Sequence, residues 1–299
     1  MMSDVKRVGY VALVGRPNVG KSTLLNALVG ERVAIVTHKP QTTRHQIRGW
    51  VTQPEGQAVF VDTPGMHSDA RNALNHRLNR VASQSLVDVD AVVMVVDAMH
   101  INQEDIRVLE KLATTTGQAK ILVFNKIDQL KDRSQLLKQT HDLTEHCSFD
   151  AVVYLSAKTG AGLDDLMGEV FARLPEDELI YPADEFTDRP VRFLVAELVR
   201  EQLMLQLHQE IPYGLTVVTE YFEEKPSRVH IHALIIVSEE RHKGMVIGKK
   251  GEVLKRVGTR ARHHIENLLG QPVHLELHVK AQAGWMEDER KLDQLGYAQ

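Results

Sequence analysis

Short apolar runs alternate with stretches of helical periodicity over the first half of the chain. The runs predict strands over residues 8–14, 47–52, 57–61, 91–96, 120–124 and 151–155. Helical patterns cover residues 22–29, 72–86, 103–113 and 134–146. This alternation predicts an α/β fold with a mostly parallel sheet. Such sheets bind ligands at the carboxyl ends of their strands, so residues that follow each run are the first candidates for a site.

The pattern changes near residue 175. The stretch from Pro175 to Pro190 is acidic and contains three prolines, which is typical of a linker. An amphipathic helix is predicted over 191–207, strands over 215–222, 229–237 and 273–280, and a basic helix up to about residue 269. We therefore predict a first domain at 1–175, a linker at 176–190, an α+β domain at 191–281 and a tail at 282–299.

Residues 15–22 read Gly-Arg-Pro-Asn-Val-Gly-Lys-Ser and satisfy the phosphate-loop pattern between a predicted strand and a predicted helix. Backbone N–H groups and the positive end of the helix dipole would hold an anion there. Lys21 would reach the β and γ phosphates, and the Ser22 hydroxyl would hold Mg²⁺. A chance glycine-rich turn is the alternative, and the flanking elements disfavour it. The predicted nucleotide contacts in this stretch are Gly15, Arg16, Pro17, Asn18, Val19, Gly20, Lys21, Ser22 and Thr23.

Asp62-Thr63-Pro64-Gly65 follows the third predicted strand. The Asp62 carboxylate would hold Mg²⁺ through a water, and the Gly65 N–H would sense the γ-phosphate. Thr63 and Pro64 are counted with the nucleotide contacts. Alone, these four residues would be an ordinary turn.

Two further patterns point to guanine. Asn125-Lys126-Ile127-Asp128 follows the fifth predicted strand, and Ser156-Ala157-Lys158 follows the sixth. Asp128 would accept hydrogen bonds from the N1–H and the 2-amino group of guanine. Adenine has neither donor. Lys126 would lie along the base, and the Ala157 N–H would meet the guanine O6. An ATP-using enzyme is disfavoured for this reason.

These four motifs, in this order, resemble the TRAFAC-type, translation-factor-like GTPases. The resemblance implies an Mg²⁺-binding Thr in Gln41-Thr42-Thr43-Arg44. Thr42 and Thr43 are both possible, and Thr43 is favoured because it matches the family's position. Lys21, Thr43 and Gly65 are then the expected catalytic residues. Met66 replaces the water-orienting glutamine of Ras-like enzymes, so slow intrinsic hydrolysis is expected. An arginine from a partner, or K⁺ held by Asn18, would raise the rate; His67 as a base is disfavoured.

The second domain contains a Gly-x-x-Gly loop, Gly248-Lys249-Lys250-Gly251, within a basic stretch. Between Arg241 and Arg262 there are eight basic residues and one acidic residue, although the whole chain has a net charge of −4. Loops of this kind clamp about four nucleotides of a single strand. The surroundings resemble a type II KH domain. The predicted RNA contacts are Ile247, Gly248, Lys249, Lys250, Gly251 and Lys255.

The two domains together resemble the Era family of bacterial GTPases. That resemblance implies binding of the 3′ end of small-subunit ribosomal RNA, a role in maturation of that subunit, and a partly peripheral membrane location. A KH-type RNA chaperone with a slow regulatory nucleotide domain is the alternative. The single cysteine, Cys147, and the absence of an apolar leader favour the cytoplasm, and nothing suggests a dimer seam.

Trp285, four strand histidines and Cys147 lie outside the motifs, and each has an expected role. Trp285 would either stack on a base or cap the second core, and capping is favoured. His230, His232, His274 and His278 are expected to be ordinary strand residues rather than metal ligands. Cys147 is expected to be an unreactive thiol.

Overall fold

A computed structural model describes residues 6–64, 72–84 and 88–297 and groups the chain into two units. The first unit comprises the described parts of 1–34, 43–69 and 78–188. The second comprises those of 35–42, 70–77 and 189–299. The second unit therefore includes two short segments that precede the rest of that unit by more than a hundred residues.

The first unit is built on a six-stranded sheet, which confirms the predicted α/β class. Its strands are β1 (Arg7–Val14), β2 (Ile47–Gln53), β3 (Gly56–Asp62), β4 (Ala91–Asp97), β5 (Ala119–Asn125) and β6 (Ala151–Tyr154). Their order in the sheet is β2-β3-β1-β4-β5-β6. Only the β2–β3 pairing is antiparallel among those described. The parallel strands are continuous apolar runs because helices cover both faces of such a sheet.

Among the described residues, four α-helices lie wholly in the first unit: α1 (Lys21–Val29), α3 (Gln103–Ala113), α4 (Gln135–Thr144) and α5 (Leu163–Phe171). Helix α2 (Ala73–Gln84) has its first five residues in the second unit and the rest in the first. The first residue of α3 follows Asn102, whose side chain accepts the Glu104 N–H in a capping box with Asp105. The buried faces of α3 and α4 pack on β4 and β5, with Cys147 in the same core. Burial raises the pKa of the Cys147 thiol, as expected for an unreactive cysteine.

The parallel register brings the carboxyl ends of the strands to one edge of the sheet. Leu13 pairs with Asp62 across β1 and β3, and Asp97 pairs with Asn125 across β4 and β5. The polar residues that follow the strands therefore collect at this edge, as the sequence predicts.

Residues 176–188 belong to the first unit, although the sequence predicts a linker there. Thr187 pairs with Gly49 of β2, and the Trp50 ring stacks on Tyr181 at 4.1 Å between centroids. The Gln57 side chain also accepts the N–H groups of Ile180 and Tyr181. Proline and acidic residues are typical of a linker, but these contacts fix the segment beside β2.

The second unit is an α+β domain, as predicted. Its elements are α6 (Val191–Gln206), β7 (Leu215–Lys225), β8 (Arg228–Val237), α7 (Glu240–Ile247), α8 (Glu252–Leu269), β9 (Val273–Ala281) and α9 (Glu289–Gln294). β8 pairs antiparallel with β7 and parallel with β9. Apolar residues of α6, α7 and α8 pack on one face of this sheet.

Helix α7 is absent from the sequence prediction. Its last residues, Val246 and Ile247, are β-branched and disfavour a helix on local propensity. Val246 is fully buried, so packing in the core stabilises the turn that propensity would not. The Gly-x-x-Gly loop thus joins two helices.

The tail closes the core of the second unit. Trp285 is fully buried, and its indole N–H donates to the Gly214 carbonyl at 3.3 Å. Tyr297 stacks beside it, and the Tyr297 hydroxyl bonds the Thr216 hydroxyl at 2.9 Å. The structure therefore places Trp285 in the capping role. In the part of the chain that the structure describes, no helix is long and apolar enough to cross a membrane.

Candidate nucleotide and nucleic-acid sites

The phosphate loop turns into α1 at Gly20, whose φ of 104° favours glycine. A Cβ there would lie 2.3 Å from the Asn125 side-chain nitrogen. Lys21 lies across the loop, and its Nζ donates to the carbonyls of Gly15 at 2.8 Å and Arg16 at 3.0 Å. The phosphate loop therefore encloses the Lys21 ammonium, the group that the sequence predicts to bind the phosphates.

Burial lowers the pKa of Lys21 to about 8, and the Asp62 carboxylate opposes that shift only in part. The side chain is 7% exposed. A bound phosphate would supply the missing negative charge and raise the pKa again. Nucleotide binding should therefore be linked to protonation of Lys21.

We expect the affinity for GDP to fall about fourfold between pH 7 and pH 8.5, because the free ammonium loses its proton near pH 8 while the bound one keeps it. Titration calorimetry in buffers of different ionisation enthalpy should show proton uptake that grows over this range. Guanosine, which lacks phosphates, is the control and should show no such linkage. A GDP affinity independent of pH would contradict the role of Lys21.

Three oxygen-bearing side chains converge beside the loop. The Ser22 hydroxyl donates to Asp62 Oδ2 at 2.6 Å and lies 2.9 Å from the Thr43 hydroxyl. Thr43 lies 3.4 Å from the same carboxylate oxygen. The Thr42 hydroxyl instead bonds the Thr37 hydroxyl and the Lys39 carbonyl, so Thr43 is the threonine that reaches the cluster.

This cluster fits a magnesium ion. Its donors are hydroxyl and carboxylate oxygens, which Mg²⁺ prefers. Asp62 is fully buried, and its Oδ1 has no hydrogen-bond partner among the described residues. Burial raises the pKa of Asp62, while Lys21 and the two hydroxyls lower it. A divalent cation would stabilise the ionised carboxylate.

The two guanine motifs are joined through Asn125. Its side-chain oxygen accepts the Ala157 N–H at 3.0 Å, and its nitrogen donates to the Val19 carbonyl at 2.9 Å. Asp128 is exposed at the same edge, with Oδ1 accepting the Ser156 hydroxyl at 2.7 Å. Asn125 therefore braces the loops. The Ala157 N–H, which the sequence assigns to the guanine O6, is donated to Asn125 in this structure, and the Asp128 side chain is exposed at the same edge. Lys158 is exposed beside them.

Two supporting carboxylates were not predicted from the sequence. Asp97 pairs with Lys126 at 2.7 Å, and Lys126 also donates to the Asn18 carbonyl at 2.8 Å. Asp105 pairs with Arg16 at 2.9 Å and is fully buried. Asp97 carries a sequence signal, since it ends an apolar strand as Asp62 does.

The other predicted residues divide between described and undescribed positions. Val19, Thr63 and Pro64 are buried, and Pro17 and Thr23 lie at the loop and in the first turn of α1. Asn18 has a φ of 64°, in the left-handed region. Gly65, Met66 and His67 lie outside the described residues.

The Gly-x-x-Gly loop lies between α7 and α8. Lys250 and Gly251 have φ values of 53° and 78°, which turn the backbone sharply before α8. Lys249, Lys250 and Lys255 are exposed, while Ile247 is half-buried and Gly248 lies at the end of α7. None of these three lysines forms an ion pair within the described part of the chain. The loop presents free positive charge at the N-terminus of a long helix, which suits a phosphate backbone.

The strand histidines surround a carboxylate that the sequence prediction overlooked. Glu276 lies 3.0 Å from His274, 3.7 Å from His232 and 3.8 Å from His278. Even so, no group of His, Cys, Asp and Glu residues in the described ranges has the geometry of a metal site.

These features define a GTPase domain joined to a KH domain. A family model for a 50S ribosome-binding GTPase matches residues 10–126, and a KH-domain model matches residues 210–286. GTPase Era from Pseudomonas fluorescens is 46% identical over 99% of this chain and 98% of its own, and that from Ectopseudomonas mendocina is 49% identical over the same shares.

The chain belongs to the Era family of GTPases. A variant of Era from Aquifex aeolicus, solved with GDP and AlF4⁻, has a TM-score of 0.93 and 37% identity, covering 98% of this chain and 100% of its own. An Era complex with MgGDPNP and nucleotides 1506–1542 of 16S ribosomal RNA matches with the same figures. This membership confirms the predicted GTPase activity and fold.

Proposed function

We propose that the chain is a GTP-controlled switch that binds the 3′ end of small-subunit ribosomal RNA and assists maturation of the small ribosomal subunit. The observation that carries this is the basic loop at Lys249–Gly251, whose two lysines are exposed and form no ion pair with any residue that the structure describes, on the same chain as the guanine-nucleotide site. The Era complex with MgGDPNP and 16S ribosomal RNA supports the choice of RNA.

Ser22, Thr43 and Asp62 would hold the magnesium ion, Asp62 through a water. The ion would neutralise charge on the β and γ phosphates. Lys21 would bind the same phosphates from inside the loop. Thr43 and Gly65 would fix the γ-phosphate, and loss of that phosphate would release both segments.

We propose in addition that K⁺ supports hydrolysis. Asn18 is held in the left-handed region at the tip of the phosphate loop, and Lys126 bonds its carbonyl. Its side-chain oxygen is a suitable ligand for a monovalent cation near the phosphates. Replacement of K⁺ by Na⁺ should then lower the hydrolysis rate, and Asn18→Ala should abolish that difference.

We also propose that the chain is a monomer in the cytoplasm, a compartment that its single cysteine, Cys147, suits. A peripheral attachment to the inner membrane, which the family resemblance implies, stays a prediction.

Gly251→Asp tests the RNA site. We expect RNA affinity to fall about tenfold or more, because a negative charge then lies beside two or more phosphates. A Cβ at Gly251 meets no atom within 4 Å, and Asp tolerates the left-handed region, so the fold should persist. The measurement is fluorescence anisotropy with an oligonucleotide of the 1506–1542 segment.

Gly251→Asn is the matched control because it has the same shape and backbone tolerance without the charge. It should bind RNA with an affinity nearer that of the natural chain. GDP affinity should be equal in all three proteins. Equal RNA affinity for the Asp variant and the natural chain would remove this loop from the RNA site.

A further inference from the structure

Helix α6 carries a row of buried polar side chains that RNA binding does not explain. Glu197, Arg200, Glu201 and Gln202 are 9%, 1%, 0% and 2% exposed. Burying charged groups costs free energy unless each finds a partner. Their partners show what the row does.

Arg200 joins α6 to the segment 35–42. Its guanidinium forms two hydrogen bonds of 2.7 Å with the Glu197 carboxylate. Its remaining donor on Nη2 bonds the Thr42 carbonyl. The planar fork holds both partners at once, which a lysine ammonium would do less well.

Two more contacts fix the other end of the segment. The Val36 N–H donates to Glu201 Oε1 at 2.8 Å. The Lys39 ammonium bonds the carbonyls of Met204 and Leu207, which end α6. A cation is favoured at this end of a helix because the last carbonyls have no partner within the helix.

The segment is also closed on itself. The Thr37 and Thr42 hydroxyls lie 2.6 Å apart, and the Thr42 hydroxyl donates to the Lys39 carbonyl at 2.7 Å. The position of Thr42 is therefore set from α6 and from within the segment. Thr43, the next residue, belongs to the first unit and contacts Ser22 and Asp62.

The same row contacts the helix that follows the RNA loop. The Gln202 amide lies 3.3 Å from His264 Nδ1, and Glu201 Oε2 lies 3.8 Å from the same atom. His264 is on α8, whose first residue follows Gly251. The row of polar side chains on α6 thus contacts both residues 35–42, which precede Thr43, and α8, which follows the RNA loop in sequence.

We propose that Arg200 and Lys39 are positioning residues that set Thr43 for magnesium binding and so couple the nucleotide to the RNA loop. This rests on the proposed switch function. Binding of RNA would shift the conformation of residues 35–42 through their contacts with α6. Binding of GTP would shift α6 through Thr43 and the same segment. By linkage, each ligand would raise the affinity for the other by the same factor.

Two variants test the coupling. Lys39→Met removes the ammonium from a side chain at the edge of the network, and Arg200→Lys keeps the charge that Glu197 needs but loses the fork. The probes are the 1506–1542 oligonucleotide, MgGDPNP and MgGDP. In the natural chain we expect GDPNP to raise RNA affinity over GDP by a factor of about 5–150.

In both variants the factor should fall to about two or less, because Thr43 no longer transmits the nucleotide state. GDP affinity should stay within about twofold, since GDP leaves the γ-phosphate position empty. The Mg²⁺ concentration that half-saturates GDPNP binding should rise. Lys225→Met, which removes an exposed ion pair with Glu223, is the control and should keep the full factor.

The outcomes separate the two proposals. A natural chain with a factor near one overturns both the switch function and the coupling. A natural chain with a clear factor that Lys39→Met retains overturns the coupling alone. A shift in melting midpoint without a change in the factor would reduce the row to a structural role, and it would likewise overturn the positioning proposal.

Discussion

Asp128→Asn should convert the chain from a guanine to a xanthine nucleotide-binding protein. GTP affinity should fall by about 10⁴-fold, since sites built on such hydrogen bonds reject ligands that leave them unpaired by that order. The variant amide would meet the guanine 2-amino group donor to donor, whereas xanthine offers a carbonyl at that position. Asn Oδ1 can still accept the Ser156 hydroxyl that Asp128 Oδ1 accepts at 2.7 Å, so the loop should keep its shape.

Competition against labelled GDP by GTP, XTP and ATP measures this change. Asp132→Asn is the matched control: Asp132 is an exposed carboxylate a few residues on, which accepts hydrogen bonds from Ser134. That variant should keep the preference for GTP. An Asp128→Asn protein that still prefers GTP would show that the base is recognised elsewhere.

Lys21→Ala should lower GDP affinity by about 10²-fold or more, because each hydrogen bond to a charged group contributes about 1.5–3 kcal/mol and Lys21 would bond two phosphates. Lys21 also bonds the Gly15 and Arg16 carbonyls, so part of the loss would come from a looser loop. Equilibrium dialysis with GDP and magnesium gives the affinity directly.

Lys21→Met separates loss of the ammonium from loss of packing by the side-chain stem. It keeps most of the apolar stem and removes the ammonium, so a loss equal to that of Ala would assign the effect to the ammonium and its hydrogen bonds. Tight GDP binding by both variants would contradict the phosphate-loop assignment.

The sequence predicts most of the first unit because its signals are local. Continuous apolar runs and the residues directly after them place Asp62, Asn125 and Ser156 at one edge of the sheet. The braces Asp105 and Asp97 depend on partners 89 and 29 residues away, Arg16 and Lys126. Such pairings follow from the register of the strands, which the pattern of a single run does not give.

The same limit applies to the second unit. Local propensity does not predict α7, because its β-branched residues disfavour a helix. Burial of Val246 in the core stabilises the helical conformation instead. Buried Arg200 and Glu201 look like the polar face of an amphipathic helix until their contacts with residues 35–42 are seen. Residues 176–188 have the composition of a linker, and only contacts over long sequence distances, such as the stacking of Tyr181 on Trp50 and the pairing of Thr187 with Gly49, reveal their place beside β2.

This GTPase is proposed to act on the 3′ end of small-subunit ribosomal RNA through the Gly248–Gly251 loop. Cross-linking of bound RNA in cells, followed by sequencing, tests it most directly when the natural chain is compared with Gly251→Asp. We predict sharp enrichment of that 3′ end with the natural chain and its loss with the variant. Scattered RNA, or enrichment that the variant retains, would contradict the claim.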